Sequence, residues 1–331
     1  MKASNKFSVF ALVSRFAVLA AIAIFATSAS QAQSWPVKPV RFILSQPPGT
    51  GPDILARLYA EKLSAVWNQP VVVENRPGGA SIIGIQAAKL SPADGYNYLF
   101  TTGGILLNVY TFKSLPYDVE RDFVAVAFLG RGPFILLANN DIPARTTAEL
   151  VALLKANPGK YSFASDGPKG LSGLMGEMFN ALGGVKSVHV PYNGTTPAMQ
   201  DTVAGRTHFS FQSAAPTLPF IRGGKLRALA ITMSKPMPGM ENLPTMKETF
   251  PEFEYMGWYM LYAPAGTPAD IVQRVNRDID KMLKDKAFAE KLLTLGPVVE
   301  EAGSPEFLRE FHRAEHQRWR SLVKLTGLQP E

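Results

Sequence analysis

Apolar and polar positions along this chain switch repeatedly between strand-like runs and helical spacing. A continuous apolar run, VRFIL at 40–44, reads as a buried strand. Beyond it, residues 54–68 place Ile54, Leu55, Leu58, Tyr59, Leu63 and Val66 on one helix face. The link, PPGTGPD at 47–53, is a sharp strand-to-helix turn. Either Thr50 is the N-cap with Asp53 as the acidic half of a capping-box-like pair, or Gly51 caps and Pro52 takes the first helical position. In both cases unpaired backbone N–H groups and the positive end of a helix dipole stand at the carboxyl end of a strand, where an open α/β sheet holds an anion. A turn that only reverses the chain has the same sequence signature.

The punctuation recurs. Strands are expected at 71–74 and 96–102, with the turn NRPGG at 75–79 and a helix at 80–90 between them. Three strands alternating with helices predict a doubly wound parallel sheet. Strand-like runs at 124–129 and 134–138 flank GRGP, and TTAE at 146–149 opens a helix that stops at NPG, 157–159. A second series comes next, with strands at 161–164, 185–190, 208–212 and 226–233 and helices ending near 182 and spanning 197–204 and 214–221. Residues 234–250 are rich in Pro and Met without periodicity and are expected to pack as a loop. An aromatic strand at 255–263 and helices at 268–284, 287–295 and 305–324 close the chain, while 298–301 carries no assignable element. That last strand needs a sheet to join. The middle block therefore reads as an insertion, with 33–131 and 255–331 forming lobe 1 and 132–254 forming lobe 2. Two crossovers would hinge the lobes around a ligand cleft.

The N-terminus changes what counts as fold. Lys2, Lys6 and Arg15 precede a short apolar run at 16–25 and then ATSASQAQ, the pattern of a secretory signal peptide, 1–32, cleaved after Ala32. A retained membrane anchor is the alternative. No later stretch approaches ~18 unbroken apolar residues. Removing 32 of the 331 residues leaves 299, enough for two domains of ~100–200 residues. Loss of the segment's three basic residues lowers the net charge from +7 to +4. The remaining cations are scattered, which argues against a nucleic-acid partner. The chain has no Cys, so disulfides, thiolate metal sites and a lipid-bearing cysteine are excluded, and stability must come from hydrophobic cores.

Seven tracts carry a resemblance: PVRFILSQPPGTGPDILARL, QPVVVENRPGGASIIG, SPADGYNYLFTTGG, LPYDVERDFVAVAFL, VHVPYNGTTPAMQDTVAG, GKLRALAIT and LYAPAGTPADIVQRVNRDI. In this order, from about residue 35 to 327, they resemble the Bug family of periplasmic solute-binding receptors of tripartite tricarboxylate transporters. The resemblance implies a two-lobe Venus-flytrap of the type II periplasmic-binding-protein fold, with two doubly wound sheets joined by two hinge crossovers. It implies a monomer without cofactor or catalysis, whose partners are a small organic acid (a di- or tricarboxylate, acidic amino acid or aromatic acid) and the integral-membrane permease subunits. Carried over by motif, lobe 1 would contribute Gln46, Pro48, Gly49, Thr50, Gly51 and Asp53, with Thr102 and Gly103 at the next strand end. Lobe 2 would offer Ser165, Gly167, Tyr192 and Gln212. Like charges repel, so Asp53 is read as a cap or the holder of a bridging water. Three to five hydrogen bonds to a carboxylate, each worth ~1.5–3 kcal/mol, can approach the ~8–12 kcal/mol of micromolar to nanomolar binding before ordering costs.

This chain departs from the family's usual Ser, Thr or His at Gly170, Leu171 and Gly173, and from a usual acidic residue at Gln212. Its lobe-2 loop carries Asp166, Pro168 and Lys169 instead, and Lys169 is placed to pair with a second carboxylate. A periplasmic sensory subunit presenting the acid to a two-component receptor is the alternative function. HRAEH at 312–316 matches an inverted zinc-peptidase pattern and is expected to be an exposed helix face. His189 and His208 fall in strand patterns. Met233, Met237, Met240 and Met246 are expected to pack a loop, and Tyr255, Trp258, Tyr259 and Tyr262 to form core.

Overall fold

The computed structural model describes residues 35–253, 255–298 and 301–330. The predicted signal peptide, 1–32, lies outside the described residues, as does Glu254 at the predicted lobe boundary. The chain divides after Val37, and the unit Lys38–Glu331 carries every strand and helix described.

Two five-stranded sheets organise that unit. The first holds β1 (Val40–Leu44), β2 (Val71–Asn75), β3 (Asn97–Thr102), β4 (Phe123–Gly132) and β10 (Gly257–Pro264), in the order β2-β1-β3-β10-β4. The second holds β5 (Phe134–Ala138), β6 (Ser162–Ser165), β7 (Val188–Pro191), β8 (Phe209–Ser213) and β9 (Arg227–Ile231), in the order β7-β6-β8-β5-β9. β1 is parallel to β2 and β3, and β6 is parallel to β7 and β8, as βαβ connections require. The sheets are nevertheless mixed. β10 runs antiparallel between β3 and β4, and β5 antiparallel between β8 and β9. These are the two strands that enter a sheet from the other one, so no crossover helix turns them round.

The helices are α1 (Gly51–Trp67), α2 (Ile82–Lys89), α3 (Gly104–Thr111), α4 (Val119–Asp122), α5 (Thr147–Ala156), α6 (Leu171–Gly183), α7 (Thr195–Val203), α8 (Ala214–Arg222), α9 (Ala269–Leu283), α10 (Lys286–Thr294) and α11 (Pro305–Thr326). α1 forms where predicted, but the far end of its expected apolar face is not covered. Leu55, Leu58, Tyr59 and Leu63 are buried, Val66 faces solvent, and Asn68 in the left-handed conformation ends the helix. α3 has no such signature, because its sequence, GILLNVYT, is nearly all apolar and shows no amphipathic period.

The chain passes from the first sheet to the second at Pro133, between β4 and β5. It returns after β9, and the described residues 232–253 and 255–256 are not a strand but a loop with one 3₁₀ turn, Met246–Glu248. Met233, Met237 and Met246 are buried there, the packing role expected of them. Both passages lie side by side, with Gly257 paired to Gly132 and packed on the Phe134 ring. A further link has no counterpart in the sequence pattern. Val298 exchanges two backbone hydrogen bonds with Arg131, at 2.7 and 3.1 Å, and Gly296 lies against Ala214, Met237 and Pro133.

α11 corrects the reading of HRAEH as an exposed face. His312 and Glu315 are buried, and Trp319 one turn further is fully enclosed. The Tyr262 hydroxyl lies 2.6 Å from His312 Nε2, Trp258 Nε1 donates to Glu315 Oε2 at 2.7 Å, and the Tyr110 hydroxyl lies 2.8 Å from His316 Nδ1. The polar groups of the motif therefore dock the helix. Among the described residues, no group of three or more His, Cys, Asp or Glu is placed to hold a metal ion.

One glycine is set by packing alone. A methyl on Gly176, in the middle of α6, would overlap the ring of Phe163, which is fully buried and stacks on His189 at 4.5 Å between centroids. Alanine gains ~1 kcal/mol of helix propensity over glycine. Even so, Gly176→Ala is expected to cost ~1–3 kcal/mol by overpacking. Urea titration would register it as a lower midpoint at unchanged slope.

Candidate functional site

Six helices begin at the carboxyl ends of sheet strands and open onto one cleft. α1, α2 and α3 follow β1, β2 and β3, and α6, α7 and α8 follow β6, β7 and β8. The cleft has a volume of about 560 Å³, and Thr50, Ser81, Gly104, Gly170, Gly194 and Ser213 bring each first turn to its wall. Three of the six N-caps, Gly103, Gly170 and Gly194, have no side chain, and the hydroxyls of Thr50, Ser81 and Ser213 bond no amide of their own helix. Thr146, Asp285 and Ser304, which do not line the cleft, each cap α5, α10 or α11 through the side chain. Helix N-termini leave N–H donors without intrahelical partners and carry roughly +0.5 charge each. Their convergence makes the cleft a place for a negative group.

The first-sheet wall is tightly braced. Thr50 is the N-cap, but its hydroxyl donates to Pro47 O at 2.8 Å rather than capping. Asp53 is buried and accepts from Gly49 N at 3.0 Å and Asn75 Nδ2 at 2.8 Å, with Arg57 in an ion pair at 3.0 Å. Burial pushes its carboxyl up, but the hydrogen bonds from Arg57, Gly49 and Asn75 outweigh this and hold it below the ordinary carboxylate value. Asp53 thus fixes the loop ahead of α1. Gln46 Nε2 donates to Ser81 Oγ at 3.2 Å and Thr102 Oγ1 at 3.3 Å, tying three strand ends together.

Of the residues expected from sequence, Gln46, Thr50, Thr102, Gly167, Lys169 and Tyr192 line the cleft. Pro48 and Gly49 are exposed and do not line it. Gly51 and Gly103 sit behind the wall, where Gly51 abuts Ser213 and Gly103 abuts the Trp258 and Trp319 rings. Ser165 is buried beneath its loop, donating to Gly167 O at 2.8 Å and lying 2.6 Å from His189 Nε2. Gln212 is buried within β8 and does not reach the wall. The Tyr192 hydroxyl turns to Asp201 Oδ2 at 2.8 Å. Lys169 Nζ donates to Thr111 O at 2.9 Å and lies 3.8 Å above the Phe112 ring, so it reaches from the second-sheet loop to the end of α3.

Sequence reasoning missed the loop ahead of α2. Four successive residues, Gly78, Gly79, Ala80 and Ser81, have φ of 120°, 54°, 52° and 75°. Such a backbone is strained for Ala and Ser, and strain of this kind collects at functional loops. Asn108 Nδ2 holds it by donating to Ala80 O at 2.9 Å. The signal was present, since NRPGG repeats the strand–turn–helix logic of the first loop. Also missed were Asn193–Thr195, Ser213 and the aromatic floor of Phe134, Trp258 and Tyr259. Trp258 and Tyr259 are buried, as expected of core residues, but both also line the cleft.

The sequence profile described as "Tripartite tricarboxylate transporter family receptor" matches residues 32–328. Protein BugT of Bordetella pertussis is 34% identical over 320 residues, covering 94% of this chain and 97% of BugT. An R. palustris protein solved with adipate superposes with a TM-score of 0.87 at 30% identity, covering 90% of this chain and 100% of that one. MatC from Rhodopseudomonas palustris, solved with bound malate, gives a TM-score of 0.80 at 28% identity, covering 87% and 100%.

Proposed function

Because this chain belongs to the tripartite tricarboxylate transporter receptor family, we propose that it captures a small organic carboxylate in the cleft between its two sheets. The observation that carries this reading is the convergence of helix N-termini from both sheets, without N-cap side-chain bonds, on one cavity that no arginine lines among the described residues. Backbone amides can hold a carboxylate without a counter-charge, each charge-assisted hydrogen bond contributing ~1.5–3 kcal/mol. The relatives solved with adipate and malate support the ligand class. Residues 33–131 with 255–331 would form one lobe and 132–254 the other, closing about the passages at 132–134 and 256–257. We assign the cleft no catalytic step. The protein would work in the periplasm as a monomer once 1–32 is removed, and would deliver the acid to membrane permease subunits. No observation favours a sensory role.

A thermal-shift panel of carboxylates and their uncharged amides tests this. Acids that bind the native state raise the melting temperature by mass action, and at a hundredfold excess over Kd the gain is ~2.7 kcal/mol. The amides should leave it unchanged. Equal shifts with acid and amide would refute the anion grip.

A further inference from the structure

Two of the matched relatives were solved with dicarboxylates, but this cleft sets an acidic side chain on its second-sheet wall, where a second carboxylate would approach. Among the described residues, two charged side chains line it, Asp166 and Lys169. The Lys169 ammonium is engaged by Thr111 O and the Phe112 ring. Asp166 Oδ1 accepts from Ser172 Oγ at 2.8 Å and packs directly on Gly170, the N-cap of α6. Burial pushes the Asp166 carboxyl above its ordinary value, in spite of the hydrogen bonds from Ser172. The positive end of α6 is therefore already occupied by an acidic side chain. The neighbouring loop ahead of α7 is close by, since Tyr192 N donates to Ser165 O at 3.0 Å. A second carboxylate brought to the second-sheet wall would meet a carboxylate there.

The rest of the cleft is uncharged, with polar side chains such as Gln46, Ser81, Thr102 and Asn108 on the first-sheet wall and one apolar stretch. Phe134, Trp258 and Tyr259 form its floor and Leu171 a side. The indole N–H of that floor is spent on Glu315. A cavity of about 560 Å³ is of a size that encloses ligands larger than a four-carbon acid. We infer that the cleft selects a singly charged acid with a flat apolar body, an aromatic monocarboxylate, over dicarboxylates, and that Asp166 sets the exclusion. The carboxylate would sit at the amides of α1, α2 and α3, and the ring would lie over the aromatic floor. This inference rests on the carboxylate-receptor reading above.

Isothermal titration at pH 7.5 of the mature chain with benzoate, phenylacetate, adipate and malate tests it. Benzoate or phenylacetate should bind at least tenfold tighter than either dicarboxylate, a gap of ~1.4 kcal/mol. In Asp166→Asn that ratio should shrink at least fivefold, mainly by gain of adipate affinity. Adipate or malate matching or exceeding both aromatic acids in the wild type would overturn the selection and leave the receptor reading intact. An unchanged ratio in a folded Asp166→Asn would overturn the role of that residue. Should Asp166→Asn fail to fold, the wild-type series alone decides the selectivity. Failure of all four acids and of every other carboxylate would overturn both readings.

Discussion

Gly51→Val is expected to weaken ligand binding by about a hundredfold or more, roughly 2.7 kcal/mol, while leaving the ligand-free fold nearly as stable as the wild type. Gly51 is the first residue of α1 on the first sheet, and it faces Ser213, the N-cap of α8 on the second. A Cβ there would lie 2.6 Å from Ser213 Oγ, 3.1 Å from Ser213 Cβ and 3.5 Å from the Tyr259 hydroxyl. Ordinary carbon contacts begin near ~3.5 Å, so a branched side chain wedges the two walls apart. The two walls then cannot close on the bound acid. The core of each sheet lies elsewhere, and the ligand-free melting temperature should move little. Gly51→Ala combined with Ser213→Gly should recover most of the affinity, because the second change removes the atoms that the first collides with. Titration calorimetry decides the matter, and wild-type affinity in Gly51→Val would show that the walls need not meet.

The second large effect is on stability against pH. Burial, with a smaller contribution from nearby His316, holds His312 down to about 4 from 6.5. Between those values the unfolded chain binds the proton and the folded one does not, so stability falls as pH drops from about 6.5 toward 4. The displacement is worth about 3 kcal/mol. Glu315 acts in the opposite sense. Burial raises its carboxyl, against the pull of Arg318 and the Trp258 hydrogen bond, so its contribution is present at low pH and is lost as pH rises above its unfolded value. The two overlap, and a single pH profile mixes them. The difference between wild type and His312→Gln isolates the histidine. The wild type's advantage at pH 7.5 should shrink by about 3 kcal/mol by pH 4. Denaturant titrations at both pH values measure it, and parallel profiles would place the acid sensitivity elsewhere.

The elements were legible to the extent that their chemistry was local. VRFIL, the PPGTGPD turn and the spacing of Leu55, Leu58, Tyr59 and Leu63 specify a strand, a turn and a helix through contacts within a few residues, and these form as read. The GILLNVYT helix escaped because a nearly all-apolar segment shows no polar face, and only enclosure by its neighbours selects helix over strand. The motif at 312–316 misled for a related reason. Its spacing shows that His312 and His316 share a face, but whether that face meets water or the Tyr262, Trp258 and Tyr110 side chains depends on where α11 docks.

The site divides in the same way. By itself the sequence determined that Gly/Pro loops stand between strands and helices, because glycine and proline restrict or release the backbone one residue at a time. That is enough to mark where amides would be open to an anion. Only the tertiary structure decided which atoms of those loops face one another. Gly49 and Gln212 fell away from the cleft, the strained run Gly78–Gly79–Ala80–Ser81 joined it, and Lys169 was drawn to Thr111. Those outcomes come from the approach of two sheets whose strands are far apart in the chain. Contact across such a gap is set by packing in three dimensions, and no local spacing encodes it.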